Sequence, residues 1–235
     1  MITTAFPRVL TMRIRPALAI ASIVAALVAT AMALVWAPPD ANQGEVARIM
    51  YVHLPSVYLA YLAFVVVFVA SVGWLWSRRP AFDAVAVASA EIGVLFTGLV
   101  LVSGSIWAKP TWGVWWTWEP RLITTAVMFV MYVGYLLLRS LSNDLERRAS
   151  RAAVVGIVAV VNIPIVHFSV LWMNSLHQLP SLLRPPGAAL ALEERMLATL
   201  LVGVLAFTLL YVWMLVARVG IERARQERVL EARDA

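Results

Sequence analysis

Six runs of apolar residues, each close to 20 residues long, set the strongest limit on how this chain can fold. They cover about Ala17–Trp36, Val52–Trp76, Ala84–Trp107, Leu122–Leu138, Ala152–Trp172 and Met196–Ala217. A helix needs roughly 20 residues to cross the hydrocarbon core of a bilayer, so each run is long enough to span one. Lipid offers no partners for backbone polar groups, and only helices or closed barrels meet that condition. The runs leave no room for a sizeable soluble domain. Only 14% of the 235 residues are charged, against about 25% in an average soluble domain. The expected fold is an all-α integral membrane protein, a single bundle of six transmembrane helices. A short cytoplasmic segment (1–16) and a charged cytoplasmic tail (218–235) flank the bundle (17–217). The first run carries Arg8, Arg13 and Arg15 ahead of it, as a secretory signal would. Signal cores run 7–15 residues, however, so the longer run reads as a retained anchor.

The basic residues orient the bundle. With the N-terminus in the cytoplasm, fourteen arginines fall on the cytoplasmic side and five basic residues on the other: Arg48, Lys109, Arg121, Arg184 and Arg195. Positive residues collect on the cytoplasmic side of membrane proteins. Both termini are therefore expected inside, with the segment between the third and fourth helices on the outer face. The same asymmetry accounts for the formal charge of +6, so no nucleic-acid partner is implied. The chain has no cysteine, which excludes disulfides, thiolate metal sites and haem attachment through thiols.

The outer connections hold the chemistry. Five of the ten tryptophans lie between Trp107 and Trp118, and Pro110 and Pro120 bracket most of them. Tryptophan favours bilayer interfaces, but Trp112, Trp115, Trp116 and Trp118 within seven residues exceed what a belt needs. They read as a platform for a large, flat, apolar ligand. If the segment is helical, Trp112, Trp115, Trp116 and Glu119 share one face. A simple interfacial helix would explain the rings. It would leave unexplained Glu119, Arg121 and Gly113, a residue that lets a ligand approach the backbone. Proline density at Pro38, Pro39, Pro110, Pro120, Pro180, Pro185 and Pro186 argues for fixed, irregular loops.

The three histidines fall in the outer half. His53 opens the second helix, His177 follows the fifth, and His167 lies within the fifth. Imidazole is a good ligand for haem iron, and His53 and His177 are expected at one depth beside the tryptophans. Arg121, Lys109, Arg48 and Arg184 are the cations available for propionates. His167 is read as a structural hydrogen-bonding residue and a secondary ligand candidate. Glu91, well inside the third helix, is another secondary candidate, since an intramembrane carboxylate is costly to keep. Pro164 is expected to kink the fifth helix.

Four stretches together resemble a known family. They are Tyr51-Val52-His53-Leu54-Pro55, Gly104–Pro110 running into Trp112–Arg121, Asn162–Val170, and Leu176-His177-Gln178. In order and spacing they are similar to the cytochrome c maturation protein C family (CcmC, haem exporter protein C), which carries a tryptophan-rich "WWD" signature. The resemblance covers about residues 40–215. It implies a non-enzymatic haem-handling protein of the bacterial inner membrane. Such a protein holds haem b non-covalently on the periplasmic face, between the signature segment (107–121) and two histidines matching His53 and His177. It also implies handover to the haem chaperone CcmE, with the ABC-type subunits CcmA and CcmB and the small subunit CcmD as partners. Glu119 stands where the family usually has aspartate, and Pro120 where it usually has a small residue. A haem b electron-transfer protein and a haem-free structural subunit of a transporter are the competing functions. The first would bury paired histidines across the membrane, and this chain has only three histidines, all in one half.

Overall fold

In the computed structural model, which describes residues 8–142, 144–177 and 192–234, every extended element is helical. Helices α1 (Arg8–Ala31), α2 (Met50–Ser77), α3 (Pro80–Trp112) and α4 (Pro120–Ser140) are followed by α5 (Leu145–Ala159), α6 (Asn162–Trp172) and α7 (Glu194–Asp234). Helix α1 ends in a π turn over Met32–Trp36, and a short 3₁₀ helix over Glu45–Ile49 leads into α2. Six spans are long and apolar enough to cross a membrane, with α5 and α6 forming one of them. The Gln178 motif position, Arg184, Pro180, Pro185 and Pro186 lie outside the described residues.

The fifth span breaks at Val160 and Val161, four residues ahead of Pro164. Proline has no N–H to offer the carbonyl of Val160. Instead that carbonyl accepts from the Ile163 N–H at 3.0 Å, in a tighter turn. Asn162 donates to the Thr124 carbonyl at 2.9 Å, which ties the break to α4. The expected kink is therefore a full interruption that re-aims α6.

Helices α2 and α3 pack along most of their length, with α4, α5 and α7 around them; α1 rests mainly on α7 and α6 mainly on α4. Leu59, Phe64, Val67, Ile92, Met128, Tyr132 and Tyr135 form the centre of the core. The Phe64 and Tyr132 rings stack with centroids 3.5 Å apart. Apolar residues such as Ile23, Leu27, Val69, Val130 and Leu205 face outward, as lipid-facing positions do in a bundle that must be apolar on both sides.

The charged end of α7 is a largely exposed helix with two buried polar positions. The helix runs on to Asp234, and Glu222 and Gln226 are buried. Arg148 donates to Glu222 at 3.1 Å, and Gln226 donates to Asp83 at 3.0 Å. Asp83 also accepts two bonds from Arg139, at 2.7 and 2.8 Å. One turn nearer the middle of α7, Arg218 donates to Glu91 at 2.7 Å. Positions 218, 222 and 226 recur every four residues, so one face of α7 meets α3 and α5. Glu91 thus serves helix packing on α7.

Candidate haem-binding site

A cavity of about 490 Å³ opens at the end of the bundle where α2 and α4 begin and where α3 and α6 end. That volume is in the range of small-molecule sites. All three histidines line it, together with Trp107, Trp112, Trp116, Tyr58, Tyr61 and Arg121. His53 and His177, 124 positions apart in the chain, thus share one chamber.

The aromatic segment is not a helix beyond Trp112. Gly113 takes φ +79°, a left-handed cap whose N–H bonds the Lys109 carbonyl at 3.0 Å. Residues 116–118 are irregular, Glu119 is extended, and Pro120 starts α4 at its first position. Glu119, held extended by the following proline, points back into the protein. The expected single face of four residues is therefore absent. Trp112 and Trp116 line the cavity, while Trp115 is 58% exposed and Trp118 is 83% exposed on the outer surface.

Gly113 serves the backbone turn, where its positive φ suits glycine; a Cβ built there meets no protein atom within 4 Å, and the residue is not part of the cavity lining. Gly113→Ala is expected to cost about 1–2 kcal/mol. Its melting temperature in detergent would fall by a few degrees, with haem affinity unchanged in the folded fraction. A large drop in affinity at constant stability would restore the close-approach reading.

Each ligand candidate is held at Nδ1. His53 Nδ1 lies 2.9 Å from the Ser103 hydroxyl, whose own proton goes to the Leu99 carbonyl at 2.6 Å. A Cβ on Gly104 would sit 3.1 Å from His53 Cε1, so glycine makes room for the ring. Trp107 packs edge-on to His53 at 5.7 Å, and its indole N–H donates to Gln43 at 2.7 Å. His177 Nδ1 meets Glu119 Oε1. The other Glu119 oxygen accepts from the Ser175 hydroxyl, and from the Leu176 N–H at 3.1 Å. Trp112 packs edge-on to His177 at 4.8 Å. Burial pushes the His177 imidazole below its ordinary value, against the opposing pull of Glu119. Neutral imidazole is the form that binds metal.

Glu119 is thus a clamp on the 175–177 segment and is itself 7% exposed. Its extra methylene over aspartate is spent on that reach. Arg121 lies in the first turn of α4 and donates to the His167 carbonyl at 3.1 Å. Among the described residues it is the single arginine or lysine lining the cavity. Lys109 donates to the Gly113 carbonyl at 2.8 Å, and Arg48 bonds Glu45 and the carbonyls of Ala33 and Ala37. Both serve loop closure, not the cavity. His167 stands in the cavity wall beside the rings of Tyr61 and Phe168. Glu91, paired with Arg218, does not line it.

Sequence reasoning passed over Ser103, Gln43 and Tyr61, for which the sequence gave no signal; Trp107 was counted in the signature segment without its role against His53.

This geometry sits on motifs with known counterparts. The profile of the heme exporter protein C family (CcmC) matches residues 3–233. The chain belongs to this family. A heme exporter protein C of Bradyrhizobium diazoefficiens is 40% identical over 203 residues, covering 86% of this chain and 76% of the relative. One from Haemophilus influenzae is 36% identical over 216 residues, covering 92% and 87%. One from Escherichia coli is 42% identical over 165 residues, covering 69% and 66%. Glu119 and Pro120 are the two positions read from the sequence as departures from the family pattern. The structure gives each a local job: Glu119 bonds the 175–177 segment, and Pro120 begins α4.

Proposed function

We propose that the chain binds haem b non-covalently in this cavity and hands it on for cytochrome c maturation. His53 and His177 supply the axial ligands. Trp112 and Trp116 contact the porphyrin, and Arg121 attracts a propionate. Trp115 and Trp118, which point away from the cavity, present an apolar outer rim to a partner or to the lipid surface. The observation that carries the reading is that two histidines from distant parts of the chain line one aromatic chamber, each with Nδ1 already engaged. A metal-bound histidine commonly uses its second nitrogen in this way.

The distribution of arginines supports an outer, periplasmic position for the cavity in a bacterial inner membrane, with both termini cytoplasmic. The relatives' name supports a place in the heme exporter system. CcmE is the receiving chaperone in this reading, and CcmA, CcmB and CcmD are the associated subunits. The protein makes and breaks coordination bonds only, so it is a carrier and not an enzyme. A cavity at the bundle end suits handover better than a buried site between helix midpoints, where release would need large motions.

The reading is tested by the absorption spectrum of protein purified in detergent after co-expression with the ATPase subunits and the chaperone. A Soret band with close to one haem per chain is the expected result. A folded protein without haem, partners present, would favour a structural transporter subunit.

A further inference from the structure

The two ligand candidates are anchored by the same geometry but by different chemistry, and this has a consequence for a site that binds haem as described above. Ser103 spends its single hydroxyl proton on the Leu99 carbonyl at 2.6 Å. A carbonyl can only accept, so toward His53 the hydroxyl oxygen must accept as well. The proton of His53 therefore lies on Nδ1, and Nε2 is the lone-pair nitrogen. Glu119 lies against His177 Nδ1 and favours the same tautomer, because a carboxylate can only accept from that nitrogen. An edge-on tryptophan fixes each ring, Trp107 for His53 and Trp112 for His177.

The anchors differ in charge. A carboxylate draws the Nδ1 proton toward itself and lends the imidazole anionic character, which strengthens Nε2 as a donor. A serine hydroxyl is neutral and does much less. The anionic ring stabilises the higher-charged metal, so it favours ferric over ferrous iron.

Resting on the haem reading, we propose that Ser103 and Glu119 are positioning residues that make the ligand pair unequal. His177 is the strong ligand and holds ferric haem; His53 is the weak one and lets go first. Release then has an order. The iron–His53 bond breaks while haem stays on His177, whose segment lies outside the helices at the mouth of the bundle. A receiving ligand of the partner takes the vacated position before His177 yields.

The test uses the full chain loaded with haem, compared by spectroelectrochemistry, electron paramagnetic resonance and the rate of haem transfer to an excess of apomyoglobin. Glu119→Gln is expected to raise the reduction potential and to weaken haem binding by about 10–100-fold. Glu119→Asp, which keeps the charge, is expected to restore most of the potential. Ser103→Ala should leave the potential near the wild-type value, reduce the low-spin signal and speed haem loss by about tenfold; Ser103→Thr should retain the wild-type signal. Ser103→Asp gives His53 a carboxylate and should lower the potential and slow haem loss. That last variant decides the matter if Glu119→Gln fails to fold. Potentials unmoved by both Glu119→Gln and Ser103→Asp would overturn the inequality, while a His53- and His177-dependent spectrum would leave the haem reading standing. A wild-type protein that takes up no haem would remove both.

Discussion

Replacing His53 and His177 together by alanine is expected to abolish the low-spin haem spectrum of the purified protein. Losing only the hydrogen-bond partner of a metal ligand typically costs 10–100-fold in affinity; losing both ligands should cost well beyond that. What remains is apolar contact with Trp112 and Trp116 and the charge of Arg121, enough for weak, high-spin haem at most. The fold should survive, because neither imidazole belongs to the buried core and His177 lies on an irregular segment. Haem stoichiometry and the Soret position measure the loss, with circular dichroism as the control for folding. If the double variant keeps stoichiometric, unshifted haem, the ligands lie elsewhere, and His167 in the same cavity wall becomes the first residue to replace. The single variants should differ. His177→Ala should lose more haem than His53→Ala, since the carboxylate-backed ring is the stronger donor.

Asp83→Ala should destabilise the bundle by about 3–5 kcal/mol, the usual cost of leaving a buried charge without its partner. The Asp83 and Arg139 side chains are each 6% exposed and joined by two parallel bonds. Gln226 donates a third bond to the same carboxylate from α7. Removing the carboxylate strands the guanidinium of Arg139 among apolar helices and unties the end of α7 from α3. A fall in melting temperature on the order of 10 °C follows for a chain of this size. Replacing Asp83, Arg139 and Gln226 together by leucine, methionine and leucine should recover most of it, because a well-packed apolar substitute often matches a buried ion pair. Retention of a monodisperse species during heating in detergent measures both. A loss of less than 1 kcal/mol for Asp83→Ala would mean that water reaches Arg139, and that the cluster does not lock the helices. Haem binding should change little in the folded fraction, since the cluster sits at the opposite end of α3 from His53's anchor, Ser103.

The two ends of the bundle show how far local pattern reaches. Six spans were legible because hydrophobic length is a property of each segment alone. Their limits were not: the third and fourth runs were read as Ala84–Trp107 and Leu122–Leu138, whereas α3 runs from Pro80 to a positive-φ cap at Gly113 and α4 starts at Pro120. The arginine asymmetry yields an expected orientation by the same kind of count along the chain. The place of His53 beside the tryptophans followed from helix order.

Other features have no local signature. Trp115 and Trp118 differ from Trp112 and Trp116 only in which way an irregular segment turns, and an irregular segment has no period from which to read a face. Glu119 meets His177, 58 positions on, and Ser103 meets His53, 50 positions back. Lys109 and Arg48 looked available to a ligand and are occupied by nearby carbonyls. Glu91 looked like a site residue until α7 brought Arg218 to it. Composition and spacing alone determined that this is a six-span bundle with a tryptophan-rich segment between the third and fourth spans. Tertiary structure decided which rings face the cavity and which groups anchor each imidazole. The physical reason is that hydrophobic burial acts on whole helix faces and leaves its mark in every turn. A hydrogen bond between distant residues depends on a few tenths of an ångström set by how the helices pack.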